Sequence, residues 1–265
     1  MVALIVALAI GLVVGLLTSS WHPVWGGVFG VLAFMGVQLG IGLLVRKKVM
    51  RATAAIQAVM QEGQQKIARK IQIFQQKPPG GAKTMQKLLE KDQQDSLRQA
   101  LEAVNALEPF RRWNLVMGKQ IATMRMQLHY QLKEFDKVDA LAPKALYLDP
   151  MTVAMRMARM HANNDPGLEK FYKKKVAKFK GDQGVILYAL YSWILLKRGD
   201  LDGAIKVLVA GKTRSANETL ASNWDHLVNG REKRFSNAAL GDQWYALGLE
   251  EPKVKQQQQR FQRPF

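Results

Sequence analysis

The chain opens with two long apolar runs that carry no charged side chain. They cover residues 1–17 and 24–45, and the first Asp, Glu, Lys or Arg in the sequence is Arg46. Each run approaches or reaches the roughly 20 residues with which an α-helix crosses about 30 Å of hydrocarbon. The short segment from residue 18 to 27, where one run gives way to the other, is turn-forming and holds Trp21 and Trp25, which suit the water interface of a bilayer. This pattern predicts a transmembrane helical hairpin over residues 1–45.

Four basic residues follow the second apolar run closely: Arg46, Lys47, Lys48 and Arg51. The positive-inside rule puts this end of the hairpin in the cytoplasm, and a hairpin returns the N-terminus to the same side. A cleaved signal peptide is the alternative for the first run, but it would want a Lys or Arg ahead of its apolar stretch. We therefore expect an inner-membrane protein with two spans and both termini in the cytoplasm. We also expect the four basic side chains to contact anionic headgroups or an acidic partner.

The apolar runs contain glycines at a spacing of four residues. The pairs are Gly11 and Gly15, Gly26 and Gly30, and Gly36 and Gly40. Such spacing clears one face of a helix, so that two backbones can approach closely. It predicts helix packing, either within the hairpin or between the subunits of a homo- or hetero-oligomer.

Beyond Arg46 the apolar positions recur at helical spacing. In residues 46–77 they fall at steps of about three, four or seven, which predicts an amphipathic helix that continues from the membrane as a stalk. Its basic side chains rest on anionic lipid or face a partner helix, or the helix packs on its own domain. Residues 77–81 include two prolines and two glycines, so we place a domain boundary there. Residues 82–107 form another striped helix, and because no alternating strand pattern follows, we predict an all-α fold.

A repeated motif occupies the C-terminal half of the chain. Phe135 and Val138 precede a closing Asp-Pro, and Leu201 and Ala204 occupy matching positions 66 residues later. This offset equals two repeats of about 33 residues each. The pattern resembles the second half of a tetratricopeptide repeat, in which small and aromatic residues let two antiparallel helices pack and a closing proline stops the second helix.

The resemblance implies a C-terminal tetratricopeptide-like α-solenoid over residues 78–252. The spacing predicts a degenerate unit between the two clear ones, with a helix to about Ala162, a turn, and a second helix to about residue 179. A further unit is expected from residue 219 to 252. Residues 253–265 are polar and basic, and we expect a flexible extension or a docking peptide there.

The first repeat departs from the family pattern. It has Met126 and His129 where the family usually has small and aromatic residues, and Pro143 lies inside its second helix. No ligand-binding position of the family has a match that would justify transferring its role. In layout the chain is similar to the membrane-anchored repeat proteins linked to bacterial haem synthesis, which also place two apolar segments before a repeat domain.

Composition narrows the chemistry that this chain can perform. Its 265 residues include no cysteine, which excludes disulfides, thiolate metal sites and cysteine nucleophiles. The four histidines have no second histidine at a spacing of three or four, and no GxxxxGK(S/T), GxGxxG or HExxH pattern occurs. We therefore expect no metal, no cofactor and no enzymatic activity. With 39 Lys and Arg against 21 Asp and Glu, the net charge of +18 points to anionic partners, of which lipid headgroups are the nearest.

Two groups of residues are candidates for partner binding. Five methionines are concentrated near the first two repeats: Met124, Met126, Met155, Met157 and Met160. Methionine fills uneven cores, or it forms an adaptable groove for the helix of a partner. The second group lies in the densest lysine block of the chain and includes Lys173, Lys174 and Lys175. This block forms a solvated or lipid-facing surface, binds an acidic protein, or binds RNA or DNA.

The expected function follows from this layout. A helical repeat array presents an extended surface that suits protein binding, so we expect a membrane-anchored adaptor or scaffold that binds a protein partner at the cytoplasmic face. The alternative is a structural or assembly subunit of a large membrane complex. Nucleic acid is the less favoured partner, because a surface rich in lysine and not in arginine is less suited to specific recognition of bases.

Overall fold

The computed structural model describes residues 2–20, 23–76, 81–114 and 116–252. All secondary structure in these residues is helical, which confirms the predicted all-α class. The α-helices are α1 Val2–Ser19, α2 Pro23–Gln76, α3 Ala82–Ala103, α4 Met117–Gln131, α5 Phe135–Leu141, α6 Pro150–Ala162, α7 Leu168–Val176, α8 Val185–Lys197, α9 Leu201–Arg214, α10 Glu218–Val228 and α11 Asp242–Tyr245. The 3₁₀ helices are Val104–Arg112, Ala142–Lys144, Gly181–Gly184, Glu232–Arg234 and Ala238–Leu240. The predicted tail, 253–265, lies outside the described residues.

Helices α1 and α2 form an antiparallel pair at the start of the chain. Both are long and apolar enough to span a membrane. Most of the exposed large apolar side chains of the structure lie on these two helices ahead of Arg46. An apolar surface of this extent is unusual on a soluble protein and common on a membrane span.

Helix α2 continues without interruption from the second apolar run into the polar part of the chain. Its 54 residues span about 81 Å at 1.5 Å per residue. The amphipathic helix predicted to continue from the second apolar run is the second half of α2, which ends at Gln76. Helix α3 runs back along this half, with Gly63 against Ser96 and an ion pair between Lys70 and Asp92.

The core of the first part of the chain forms where α3 and α4 meet α2. Its buried members are Ile56, Leu97, Ala100, Val104, Leu107, Met117, Ile121 and Leu128. Because α3 packs on α2, these two helices belong to the same compact unit. By its internal contacts the chain divides into two compact units, Met1–Leu146 and Tyr147–Phe265, and this division falls inside the first predicted repeat. The domain boundary at residues 77–81 stays a prediction.

The end of the first predicted repeat differs from the family pattern. Helix α5 ends at Leu141, because Pro143 in the following 3₁₀ helix cannot continue an α-helix. Asp149 and Pro150, expected to close that helix, instead begin α6. The Asp149 carboxylate accepts a hydrogen bond from the Thr152 backbone N–H at 2.8 Å, and Pro150 occupies the first turn.

The second unit is built around α8. Ten consecutive residues of this helix, from Val185 to Ile194, are buried, since α6, α7, α9 and α10 contact it from several sides. The helix predicted to end at Ala162 does so, and a turn leads to α7. Gly199, at a φ of +80°, permits the tight turn from α8 into α9. Stacking of these helix pairs as a tetratricopeptide-like solenoid stays a prediction.

A carboxylate joins two buried tryptophans in the second unit. Glu250 accepts hydrogen bonds from the indole N–H groups of Trp193 and Trp244, each at 2.8 Å. The two rings meet edge to face, with centroids 5.9 Å apart. This contact ties the segment after α11 to the central helix α8.

Candidate functional site

Glycines allow the apolar hairpin to pack closely. A Cβ atom on Gly30 would lie 2.8 Å from the carbonyl oxygen of Gly11, and one on Gly15 would lie 3.2 Å from that of Gly26. These distances leave little or no room for side chains, so the two helices meet backbone to backbone. A Cβ atom on Gly36, by contrast, would meet open space, as it would on the other glycine of that predicted pair, Gly40.

The methionines of the predicted groove are mostly interior. Met126 and Met157 are fully buried, and Met155 and Met160 are nearly so. Met124 is half-buried against the core of the first unit. This burial favours the interpretation that methionine fills uneven cores. Partner binding through these side chains stays a prediction, and the proposals below do not depend on it.

The lysine block occupies the outer face of α7. Leu168, Tyr172 and Val176 recur at a spacing of four residues and are buried. Lys173 and Lys174 lie between them and are exposed, and Lys173 pairs with Glu169 four residues earlier, at 2.5 Å. The block is therefore the polar face of an amphipathic helix.

Lys175 differs from the other lysines of this block. Its Nζ atom lies 4.8 Å from the ring centroid of Tyr147 and 5.5 Å from that of Phe171, within the range of cation–π attraction. Burial lowers the pKa of Lys175, and the neighbouring charges of Lys178 and Lys174 lower it further. Lys175 is thus held on the aromatic rings while its neighbours project into solvent.

Three other titratable side chains of the second unit are buried or partly buried. Burial lowers the pKa of His161, whose ring packs edge to face on Trp193. Burial also raises the pKa of Tyr172 and raises that of Tyr191 to about 12, and these two rings stack at 4.0 Å. Within the described ranges, no group of three or more His, Asp or Glu side chains converges as metal ligands would.

Basic residues gather where α2 leaves its apolar half. Arg46, Lys47, Lys48 and Arg51 are all exposed there. The 3₁₀ helix that follows α3 ends in Arg111 and Arg112. Trp113 follows directly and is 38% exposed, and Val116 is 44% exposed. A tryptophan beside basic residues is typical of the headgroup region of a membrane.

A cavity of about 690 Å³ lies between these elements in the first unit. One stripe of α2, the first turns of α1 and the segment around Trp113 line it. The residues are Ala3, Leu4, Ile5, Gln38, Ile41, Gly42, Val45, Arg46, Val49, Trp113, Asn114, Val116, Met117 and Gln120. It thus combines apolar walls with a few polar groups, as ligand sites do.

Of the residues that line this cavity, sequence reasoning had singled out Arg46 as a contact to lipid or an acidic partner, and it missed Trp113, Asn114 and Gln120. The run Arg111-Arg112-Trp113 was a usable signal, because it repeats the basic and aromatic composition of a membrane boundary. Searches against protein-family models, curated proteins and solved structures found no match to this chain. Function must therefore be argued from its own geometry.

Proposed function

We propose that this protein is a membrane-anchored helical adaptor that binds a protein partner at the cytoplasmic face of the inner membrane. One observation carries the proposal: α2 passes as a single helix from the apolar hairpin into the folded polar part of the chain. An uninterrupted helix holds the first unit, into which α2 runs, at a fixed place relative to the bilayer, which a flexible linker does not do.

Charge supports the cytoplasmic orientation. Four basic residues lie within the first turns after the apolar part of α2, and the first acidic residue in the chain is Glu62. Basic residues next to a span are retained on the cytoplasmic side during insertion. The test is a reporter fused after Phe265, which we expect to be active in the cytoplasm. A periplasmic reporter would overturn the orientation.

The outer face of α7 is the best surface for an acidic partner. Lys174 on this helix and Lys178, two residues beyond its end, are exposed and have no acidic partner among the described residues. Exposed lysines without local carboxylates attract a complementary surface and speed its docking. Because Lys175 is anchored on aromatic rings, the face also has one fixed positive charge.

Gentle detergent extraction of the full chain tests partner binding. Replacing Lys173, Lys174 and Lys178 with Gln is expected to lower the affinity for a stoichiometric partner about tenfold or more. Each ion pair that an exposed lysine makes with the partner contributes up to about 1 kcal/mol. A control variant carries the same charge change on exposed positions of α3: Lys83→Gln, Lys87→Gln and Lys91→Gln. Equal retention of the partner by both variants would contradict the role of α7.

A structural subunit of a larger membrane complex is the second candidate. Gly36 and Gly40 face open space within the hairpin, so this side of α2 is accessible to the helix of another membrane protein. Native mass measurement separates the two candidates. A stoichiometric complex that resists high salt favours the subunit, and a partner that is lost at high salt favours the adaptor.

A further inference from the structure

We propose that the cavity beside Arg46 binds one anionic phospholipid, with the phosphate at the Arg46 guanidinium and an acyl chain along α1 and α2. The proposal rests on the membrane anchoring proposed above. It adds a specific ligand to a surface that would otherwise contact bulk lipid only.

The shape of the cavity suits a long amphiphile. Its α2 residues fall at positions 38, 41, 42, 45, 46 and 49, which is one continuous stripe of a helix. Eleven residue steps cover about 16 Å along the helix axis. The volume of about 690 Å³ lies within the usual range for ligand sites, about 300–1,000 Å³.

The lining changes character along this stripe. On the hairpin side, Leu4 and Ile5 of α1 face Ile41 and Val45 of α2, so the wall is almost wholly apolar. Polar groups occur near the end of the span, where Arg46 lies, and in the segment around Trp113, which adds Asn114 and Gln120. Apolar walls that end in a cationic mouth match an acyl chain with a phosphate at one end.

The charge at the mouth requires an anion. Arg46 is exposed and has no carboxylate within salt-bridge distance among the described residues. Of the residues that line the cavity, not one is acidic. A guanidinium binds phosphate through paired, charge-assisted hydrogen bonds, which are stronger than bonds between neutral groups. An acidic peptide would satisfy the charge but would leave the apolar wall without a matching group.

Gly42 and Gln38 show that the cavity is open and that one polar atom in its wall lacks a hydrogen-bond partner. A Cβ atom on Gly42 would meet nothing within 4 Å, so this residue keeps the wall open without clearing space for a neighbouring helix. The Oε1 atom of Gln38 is buried and has no hydrogen-bond partner among the described residues.

Trp113 fits the rim of such a site. Its indole is 38% exposed next to the cavity, where an amphipathic ring can lie against the glycerol region of a lipid. The return of the chain along α3 and the 3₁₀ helix brings this residue back beside the start of the basic segment.

The test uses the full chain in mild detergent, titrated with phosphatidylglycerol or phosphatidylcholine and measured by native mass spectrometry. We expect one phosphatidylglycerol per chain, bound about tenfold more tightly than phosphatidylcholine. Arg46→Gln should remove this preference. Gly42→Leu should weaken the binding of both lipids, because the added side chain fills the cavity. Gly36→Leu and Lys47→Gln are the controls, since the first adds the same side chain to open space elsewhere and the second removes a charge outside the cavity.

Several results would overturn the lipid site. They are equal binding of the two lipids, unchanged binding by Gly42→Leu, and displacement of bound lipid by polyglutamate or by millimolar inorganic phosphate. The membrane anchoring is tested separately by alkaline extraction, in which the chain should stay with the membrane. A chain that stays in the membrane but binds no phosphatidylglycerol refutes the site alone, whereas a chain that leaves the membrane refutes the anchoring.

Discussion

Replacing Glu250 with Gln is expected to destabilise the second unit by about 1–3 kcal/mol. The Glu250 carboxylate accepts two hydrogen bonds from indole N–H groups, and the rings that donate them are buried, with Trp193 8% and Trp244 0% exposed. A Gln side chain has one acceptor oxygen, and its amide nitrogen is a donor. One indole N–H would then face another donor, and the cost is that of a buried donor left without an acceptor.

The assay is urea denaturation of the full chain in detergent, followed by tryptophan fluorescence. Glu251→Gln is the matched control, because it removes the same charge from an exposed neighbour and should change the free energy of unfolding by less than about 0.5 kcal/mol. In a Trp244→Phe background, one acceptor is enough for the remaining indole, so Glu250→Gln should cost much less there. An equal cost in both backgrounds, or an equal effect of Glu251→Gln, would refute the reasoning.

Three further predictions concern the packing of helices and the effect of pH. Gly63→Val should separate α2 from α3 and cost about 1–3 kcal/mol, measured by thermal unfolding, because its Cβ would collide with Ser96. Gly30→Leu should lower the melting temperature of the detergent-solubilised chain, because Gly30 lies against the backbone of α1, whereas Gly36→Leu should not. Burial lowers the pKa of His161, so the unfolded chain binds its proton more readily, and stability should fall as the pH drops below about 6.5. His161→Phe should flatten this dependence in denaturation measured between pH 7 and 5.

Each of these predictions has a result that contradicts it. Ser96→Gly should partly restore the Gly63→Val variant, and no rescue would mean that the two helices do not meet there. Equal melting temperatures for Gly30→Leu and Gly36→Leu would exclude close packing of the hairpin. An unchanged pH dependence in His161→Phe would assign the acid sensitivity to other groups.

The parts of the fold that the sequence predicts are those with a strong local signal. Apolar runs without charge identify the helices that contain residues 2–17 and 24–45, and helical spacing identifies the remainder as all-α. The end of α6 at Ala162 was also predicted, because a turn-forming cluster follows it. These features depend on neighbours in sequence, so periodicity and turn chemistry are sufficient to find them.

The features that the sequence did not predict depend on contacts between distant segments. The proline and glycine residues at 77–81 indicate a break, but nothing in the sequence near them indicates that Gly63 of α2 packs on Ser96 of α3. The sequence alone does not decide whether Met157 is buried, since methionine occurs both in cores and on binding surfaces. The cavity beside Arg46 depends on a long return of the chain along α3, and nothing local to Arg46 indicates it.

The unbroken course of α2 also has a mechanical consequence. Beyond Arg46 the helix extends for about 46 Å to Gln76, and α3 runs alongside and stiffens it. In the proposed membrane arrangement, a tilt of the span by about 20° would move the far end sideways by roughly 16 Å. A small change in bilayer thickness or in the packing of the hairpin is thereby amplified at a distance from the membrane. In that arrangement the helix would act as a lever arm, and the tilt of the span would set the position of its far end.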